Sequence, residues 1–483
     1  MRELTWTVVG DAPRASTAGP RLGVLSVPGG VDGRDEPVRI ATPACLTYTR
    51  RGEPAHLTPD VLATLPPEAR AFQVCLVHFM DHLPPTHVSN CPGGGRAYFG
   101  SAPTFALATA RDAITFDQHA KPSNDASATY VGTPVGAKKV SVEEYMRWVF
   151  ATRPHAFVQL ADEQHSVEGV NAKKTRAAVE RTANWLDACA AANETDEKNA
   201  GTPGTPPVAM FASVQGGCDV EARRLSAKAA ASRCLGFDAS TDALGEPPAS
   251  NETNAKTKTK SRRDPVFGFS IGGLGTGEAP GAARASLVAA CVAELPREKP
   301  VHVAGVGAPL DLIAMIENGV DLMDNAFAHV MTLAGRALRF PVDAKDGVKE
   351  EGEDAKTRTG ASKKRRRDDA DDDETQRDSS LFSGSDAFSL NLWSLKYRTD
   401  TRPLLENCAC HTCAHHTRAY VHHLLQCREM TASVLLDAHN QFHFLRFFAA
   451  AREAIANDAF AAFAAFHRNR AKEETEAGES DER

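Results

Sequence analysis

The stretch Val301–Met323 reads VHVAGVGAPLDLIAMIENGVDLM. Its opening, Val301 to Gly305, is a short apolar run of strand type. Pro309 then starts a pattern of helical spacing that lasts to Ile316, and Gly319 to Met323 is strand-like again. A strand, a helix and a second strand in so short a span describe a βαβ unit, whose strands pair in parallel. The same alternation extends upstream. Ala156 to Leu160, Pro207 to Val214 (PVAMFASV) and Val266 to Ile271 have strand character, while Val220 to Ala231 and Ala282 to Val292 have helical spacing. Ser141 and Glu144 stand in capping-box register at the head of SVEEYMRWVF, which Pro154 closes. Repeated βαβ units are right-handed and make an α/β fold, either a closed barrel or an open doubly wound sheet. The pattern alone does not choose between the two.

Three segments interrupt this order: Asn193 to Pro207, Ala239 to Asp264 and Asp343 to Asp386. All are polar and poor in aliphatic residues, as expected of disordered insertions. The third carries KKRRR, Lys363 to Arg367, followed at once by aspartates. Such a run is either a nuclear localisation signal or, more often, a solvated loop. Beyond residue 400 the pattern changes, and Thr417 to Phe466 is almost continuously helical. The expected organisation is therefore residues 1–400 as an α/β body, 401–470 as a helical subdomain, and 471–483 as a charged tail.

The chain has 483 residues and a net charge of −7, so it lacks the overall basic surface of a protein that grips nucleic acid along its length. No secretory or membrane-spanning apolar run is evident. With 11 cysteines, an odd number, free or metal-bound thiols in a reducing compartment are expected. Cytoplasmic placement is the default.

Three of those cysteines cluster in Cys408-Ala-Cys410-His-Thr-Cys413. Three thiols on a turn supply one face of a tetrahedral zinc site, and a histidine on a following helix completes a Cys3His set. His439 is the leading fourth ligand, with His411, His415, His416, His422, His423 and His443 as nearby alternatives. Four protein ligands leave no open position, so the Zn2+, one per chain, would be structural. A redox pair at Cys410 and Cys413 would leave Cys408 unexplained.

At these residues the sequence resembles the tRNA-guanine transglycosylase family, whose pattern is CxCxxC followed, after 25 residues, by histidine. Thr417-Arg-Ala-Tyr420, His422-His423-Leu424 and Leu435-Leu436 before His439-Asn440 agree with it. So do Val214-Gln-Gly-Gly217, Gly272-Gly273 with Gly277-Glu278, Gly305-Val-Gly307, Gly319-Val-Asp321 and the N-terminal CLTYTRRGEPAHLT. The resemblance implies a TIM-like (β/α)8 barrel carrying a C-terminal zinc-binding helical subdomain. It also implies exchange of guanine for queuine at the tRNA wobble position.

The same resemblance puts Asp324 at the position of the family's nucleophile, Asp162 at that of its base-reading aspartate, and Gln215 and Gly273 in the base pocket. The family's Asp-Ser-Gly-Gly-Phe-Gln acid/base motif is absent, and the window Phe72 to Ala120 offers no equivalent. The Pro-Thr-Arg after the nucleophile is replaced by Ala328-His329-Val330, and Leu333 stands where a later arginine is expected. Losing an acid/base group costs about 10²–10⁴-fold in rate, and the missing cations remove phosphate contacts. The expectation is a non-catalytic paralogue, with Asp324 vestigial, that pairs with a catalytic subunit in a heterodimer and meets tRNA through it, with no DNA partner. The alternative is an active transglycosylase using Asp324. The helices after Cys413, including Phe442, Phe444, Leu445, Phe447 and Phe448, are expected to serve as core or as subunit contact. Association with a mitochondrial outer membrane follows from the resemblance alone.

Overall fold

The computed structural model describes residues 3–9, 19–28, 37–92, 103–114, 124–133, 135–164, 171–199, 208–234, 264–275, 281–342 and 388–481, with Gly95, Tyr98 and Gly100 between. The KKRRR run, Glu278 and the whole of residues 239–263 and 343–386 lie outside these. The chain divides into two compact units, residues 1–55 with 68–327, and residues 56–67 with 328–483.

The first unit is a closed barrel. Its strands in chain order are β4 (Ala44–Tyr48), β5 (Ala71–Cys75), β6 (Phe105–Thr109), β9 (Ala156–Val158), β10 (Ala209–Val214), β11 (Gly268–Ile271), β12 (Val301–Val303) and β13 (Leu322–Asp324), with an antiparallel hairpin of β7 (Ala128–Thr133) and β8 (Gly136–Ser141) inserted between β6 and β9. All pair in parallel, and the ring closes where Leu322, Met323 and Asp324 align with Ala44, Cys45 and Leu46. This decides in favour of the TIM-like barrel over an open sheet. The helices expected at Val220–Ala231 and Ala282–Val292 are present with those bounds, and the Val301–Met323 unit contains the helix Pro309–Glu317. Ser141 caps the helix Val142–Thr152 by accepting the Glu144 N–H at 3.2 Å.

Three antiparallel strands, β1 (Thr5–Val9), β2 (Leu22–Val27) and β3 (Val38–Thr42), precede the barrel. Leu25, Val27 and Ile40 pack with Ala44, Ala71, Phe105 and Ala156, the first residues of their strands. The sheet thus covers the N-terminal end of the barrel with apolar side chains. The interior carries one polar thread: Ser270 bonds His302 Nδ1 at 3.0 Å, and His302 Nε2 meets Gln73 Oε1 at 3.0 Å. Burial pushes His302 down to about 3, so the ring is neutral and donates once while accepting once.

The first expected insertion begins later than its composition suggests. The helix Ala172–Asn199 continues through its start, because Asn193 is buried and its amide donates to the Val208 carbonyl at 2.8 Å. Residues 200–207 lie outside the described part.

The second unit also begins earlier than residue 401. Strands β14 (Arg336–Leu338) and β15 (Ser389–Asn391) form a two-stranded sheet within it. Its helices are Arg418–Gln426, Met430–Ala456 and Phe460–Asp481, so the expected tail is a helical continuation. Of the apolar stripe on the Met430–Ala456 helix, Phe444, Phe447 and Phe448 are buried, and Phe340 packs edge-on against Phe444 and Phe447. These rings are core. Among the described residues no helix is long and apolar enough to cross a membrane.

Candidate functional sites: a thiol–imidazole cluster and a barrel mouth

In the second unit, Cys410 has an extended backbone and caps the short helix His411–His415, its sulfur accepting the Cys413 N–H at 3.3 Å. Thr412 is buried and donates to the Leu435 carbonyl at 2.7 Å, which ties this turn to the Met430–Ala456 helix one turn before His439. The result brings Nδ1 of His439 to 3.8 Å from Cys408 Sγ, 3.5 Å from Cys410 Sγ and 3.4 Å from Cys413 Sγ. All four donor atoms lie within 4.8 Å of one another, a group that could hold a metal ion. A tetrahedral zinc with ~2.3 Å sulfur and ~2.05 Å nitrogen bonds would place sulfur and nitrogen about 3.5 Å apart. The observed spacings bracket that value, so the donor set fits.

Without a cation the group is electrostatically crowded. Burial opposes charge on His439, yet the Cys408 and Cys410 sulfurs outweigh it and hold the imidazole up at about 10. Hydrogen bonds with Cys410 and Cys413 pull the Cys408 thiol down, while hydrogen bonds with Cys408 and Cys410 push Cys413 up. Three crowded sulfurs cannot all ionise by themselves, and a divalent cation is what would let them.

Of the alternative histidines, His422 gives Nδ1 to the Leu392 carbonyl at 2.8 Å, and His443 gives Nε2 to the Phe340 carbonyl at 2.7 Å. His411 and His415 are exposed. None joins the sulfurs. Nε2 of His439 donates to the Leu338 carbonyl at 2.8 Å, which leaves Nδ1 as the free donor atom. Sequence reasoning missed this β14 partner, because it stands 101 residues away in the chain.

In the first unit, the residues expected at the base pocket all lie at C-terminal strand ends. Asp162 follows β9 and is fully buried. Its Oδ1 accepts from Asn124 Nδ2 at 2.5 Å and Gln164 Nε2 at 2.7 Å, and its Oδ2 accepts from Arg181 Nε at 2.7 Å and Nη2 at 2.5 Å. Gln215 follows β10, and its amide donates to Ser213 while Oε1 is buried without a hydrogen-bond partner. Gly272 and Gly273 crowd against it: a Cβ on Gly272 would meet Gln215 Nε2 at 2.3 Å, and Gly273 has φ +69°. Only glycine fits there. Gly273 N–H is bonded to Glu163 Oε2 at 3.2 Å, and the same carboxylate oxygen pairs with Arg111 at 2.9 Å.

Asp324 ends β13 with no exposed surface. Its Oδ2 accepts the Gly305 N–H at 2.6 Å and its Oδ1 the Ala326 N–H at 2.8 Å. Burial raises it to about 6, against those two bonds, with Asp112 adding to the rise. Asp112, with His78 at 3.2 Å, is an acid inside the window Phe72 to Ala120 that the sequence reading passed over. Its signal was available: Arg111-Asp112 is a charged pair just beyond β6, at the strand ends where barrel sites collect.

The model of one family, queuine tRNA-ribosyltransferase, matches residues 16–472. The chain belongs to the queuine tRNA-ribosyltransferase family. It is similar to queuine tRNA-ribosyltransferase accessory subunit 2 of Gallus gallus, 29% identical over 91% of this chain and 92% of that one. The Danio rerio protein of the same name is 30% identical over 91% and 94%, and the Homo sapiens one 28% identical over 87% and 90%. Family membership agrees with the closed barrel and with the Cys3His cluster.

Proposed function

We propose that this chain is the non-catalytic subunit of a heterodimeric queuine tRNA-ribosyltransferase, supporting the exchange of guanine for queuine in tRNAs with GUN anticodons. The relatives named above as accessory subunits cover about nine-tenths of its length. The observation that carries the reading is the saturation of Asp162: four hydrogen bonds from Arg181, Asn124 and Gln164 consume the carboxylate that would otherwise read a base. Asp324 supports it, since both oxygens of this buried carboxyl already accept backbone N–H groups and none faces outward as a nucleophile.

The ion at Cys408, Cys410, Cys413 and His439 is zinc, held for structure. Three thiolates and one imidazole make a closed set of the kind zinc favours. When bound, it cross-links the Cys408–Cys413 turn to the Met430–Ala456 helix. The partner is the catalytic subunit, and tRNA is met through that complex in the cytoplasm.

The test measures guanine or queuine incorporation into a GUN-anticodon tRNA with this chain alone, a catalytic subunit alone, and the two mixed. Exchange only in the mixture, within about twofold when Asp324→Asn replaces the native chain, is the expected result, because a working nucleophile would cost orders of magnitude more. Exchange by this chain alone, abolished by Asp324→Asn, overturns the proposal.

A further inference from the structure

Cys410-His-Thr-Cys413 has the CxxC spacing of dithiol redox pairs, which a purely structural metal site leaves unused. The structure gives the pair its geometry. Cys410 caps the short helix His411–His415, and its sulfur accepts the Cys413 N–H at 3.3 Å. Both sulfurs face the same His439 nitrogen, at 3.5 and 3.4 Å, and they lie within 4.8 Å of each other. At most about 3 Å of approach separates them from the ~2 Å length of an S–S bond.

The three thiols differ in burial. Cys410 is 2% exposed and Cys408 9%, whereas Cys413 is half-buried. Oxidation of cysteine follows thiolate character and access, so Cys413 is the point of entry. When bound, the zinc keeps all three sulfurs as thiolates, the nucleophilic form.

We propose that Cys413 and Cys410 are a peroxide-sensitive pair whose oxidation to a disulfide empties the Cys3His cluster. The proposal rests on the reading of that cluster as a zinc site. Hydrogen peroxide is the oxidant. The Cys413 thiolate attacks one peroxide oxygen: an S–O bond forms, the O–O bond breaks and hydroxide leaves. The Cys410 thiolate then attacks the Cys413 sulfur: an S–S bond forms, the S–O bond breaks and a second hydroxide leaves. The two sulfurs have each given up one electron, and the peroxide has taken both. Only Cys408 and His439 then remain of the four donors, too few to hold zinc in a closed tetrahedron. Cys408 is thereby explained beside the redox pair, as the ligand that is not oxidised. The turn loses its metal link to the Met430–Ala456 helix, and a dithiol reductant restores it.

The test uses full-length protein whose zinc has first been counted by metal analysis. Dilute hydrogen peroxide is added, zinc release is followed with a coloured chelator, and disulfides are mapped by peptide mass spectrometry after free thiols are blocked. Stoichiometric release is expected, with Cys410–Cys413 as the linkage, and excess dithiol with zinc should restore the loaded form. Cys413→His keeps four donors but removes the entry sulfur, so release should slow by at least about tenfold. Should that variant fail to load zinc, the linkage mapped in the native chain decides alone. Cys427→Ser is the control, because Cys427 is a fully exposed thiol outside the cluster and the natural competitor for the oxidant. A chain that holds no zinc at the outset refutes the zinc reading, and the mapped linkage still tests the pair. Release without a Cys410–Cys413 linkage, retention of zinc while Cys427 is oxidised, or release abolished by Cys427→Ser would each overturn the proposal.

Discussion

Nε2 of His439 donates to the Leu338 carbonyl at 2.8 Å, on β14, while its Nδ1 faces three sulfurs. The next residue extends the link: Asn440 Oδ1 accepts the Leu338 N–H at 2.8 Å, and its amide donates to the Arg336 carbonyl and to Thr332 Oγ1, each at 3.0 Å. One helical turn later His443 bonds the Phe340 carbonyl. Three side chains of one helix therefore satisfy backbone groups of β14 and of Phe340 just beyond it, and the same helix delivers the fourth donor to the thiols. Holding a ligand ring by its second nitrogen is the usual way a protein orients a metal-binding histidine.

Cys410→Ser should therefore empty the cluster. The variant is expected to bind zinc at least about 100-fold more weakly. Its thermal transition should fall to that of native protein treated with a strong chelator. Metal analysis of the purified variant, paired with melting curves, reads both; a variant that keeps stoichiometric zinc would remove Cys410 from the ligand set.

Asn440→Ala deletes three hydrogen bonds and leaves buried backbone groups unpaired. A loss of about 2–4 kcal/mol is expected, using about 1–3 kcal/mol for each unsatisfied buried group with partial relaxation. Urea denaturation measures it. A change below about 0.5 kcal/mol, the size of an ordinary surface substitution, would show that the clamp contributes nothing.

Arg181→Leu strands the Asp162 carboxylate, which has no exposed surface, with only Asn124 and Gln164. Breaking such a pair from one side costs about 3–5 kcal/mol, whereas neutralising both partners costs far less. The double variant Asp162→Asn/Arg181→Leu should consequently be more stable than Arg181→Leu alone. The ordering of the two denaturation midpoints decides the matter.

Asp324 supplies a pH dependence. Its carboxyl is raised by burial to about 6 from an ordinary 3.8, so the folded chain holds this proton more tightly than the unfolded one. Between those values the unfolded state has released its proton and the folded state has not, so stability falls as pH rises through that window and is level above it. The loss amounts to roughly 3 kcal/mol, at about 1.4 kcal/mol per unit. Asp324→Asn removes this titration. Its stability relative to the native chain should climb from pH 4 to pH 6, and a flat difference across denaturation curves in that range would refute the assignment.

Some of this was legible in the chain because it rests on local rules. The helix bounds at Val220–Ala231 and Ala282–Val292 follow from spacing, and the Ser141 cap from residue chemistry. Asn193 shows the limit: its surroundings are polar, but one amide reaching the Val208 carbonyl keeps the helix going. Phe444 and Phe447 show another, since an apolar stripe reads equally as core or contact until Phe340 is seen between them.

By itself, the sequence determined the βαβ order, the three thiols in one turn and the absence of the family's acid/base motif. These are properties of residue type and short spacing, and they hold in any fold the chain could adopt. Only the tertiary structure decided that the strands close between β13 and β4, that His439 and not a neighbouring histidine faces the sulfurs, and that Arg181 occupies the Asp162 carboxylate. Those outcomes depend on which groups far apart in the chain meet and exclude water. Burial then sets whether a carboxylate is free to react or already spent, and no local pattern encodes burial.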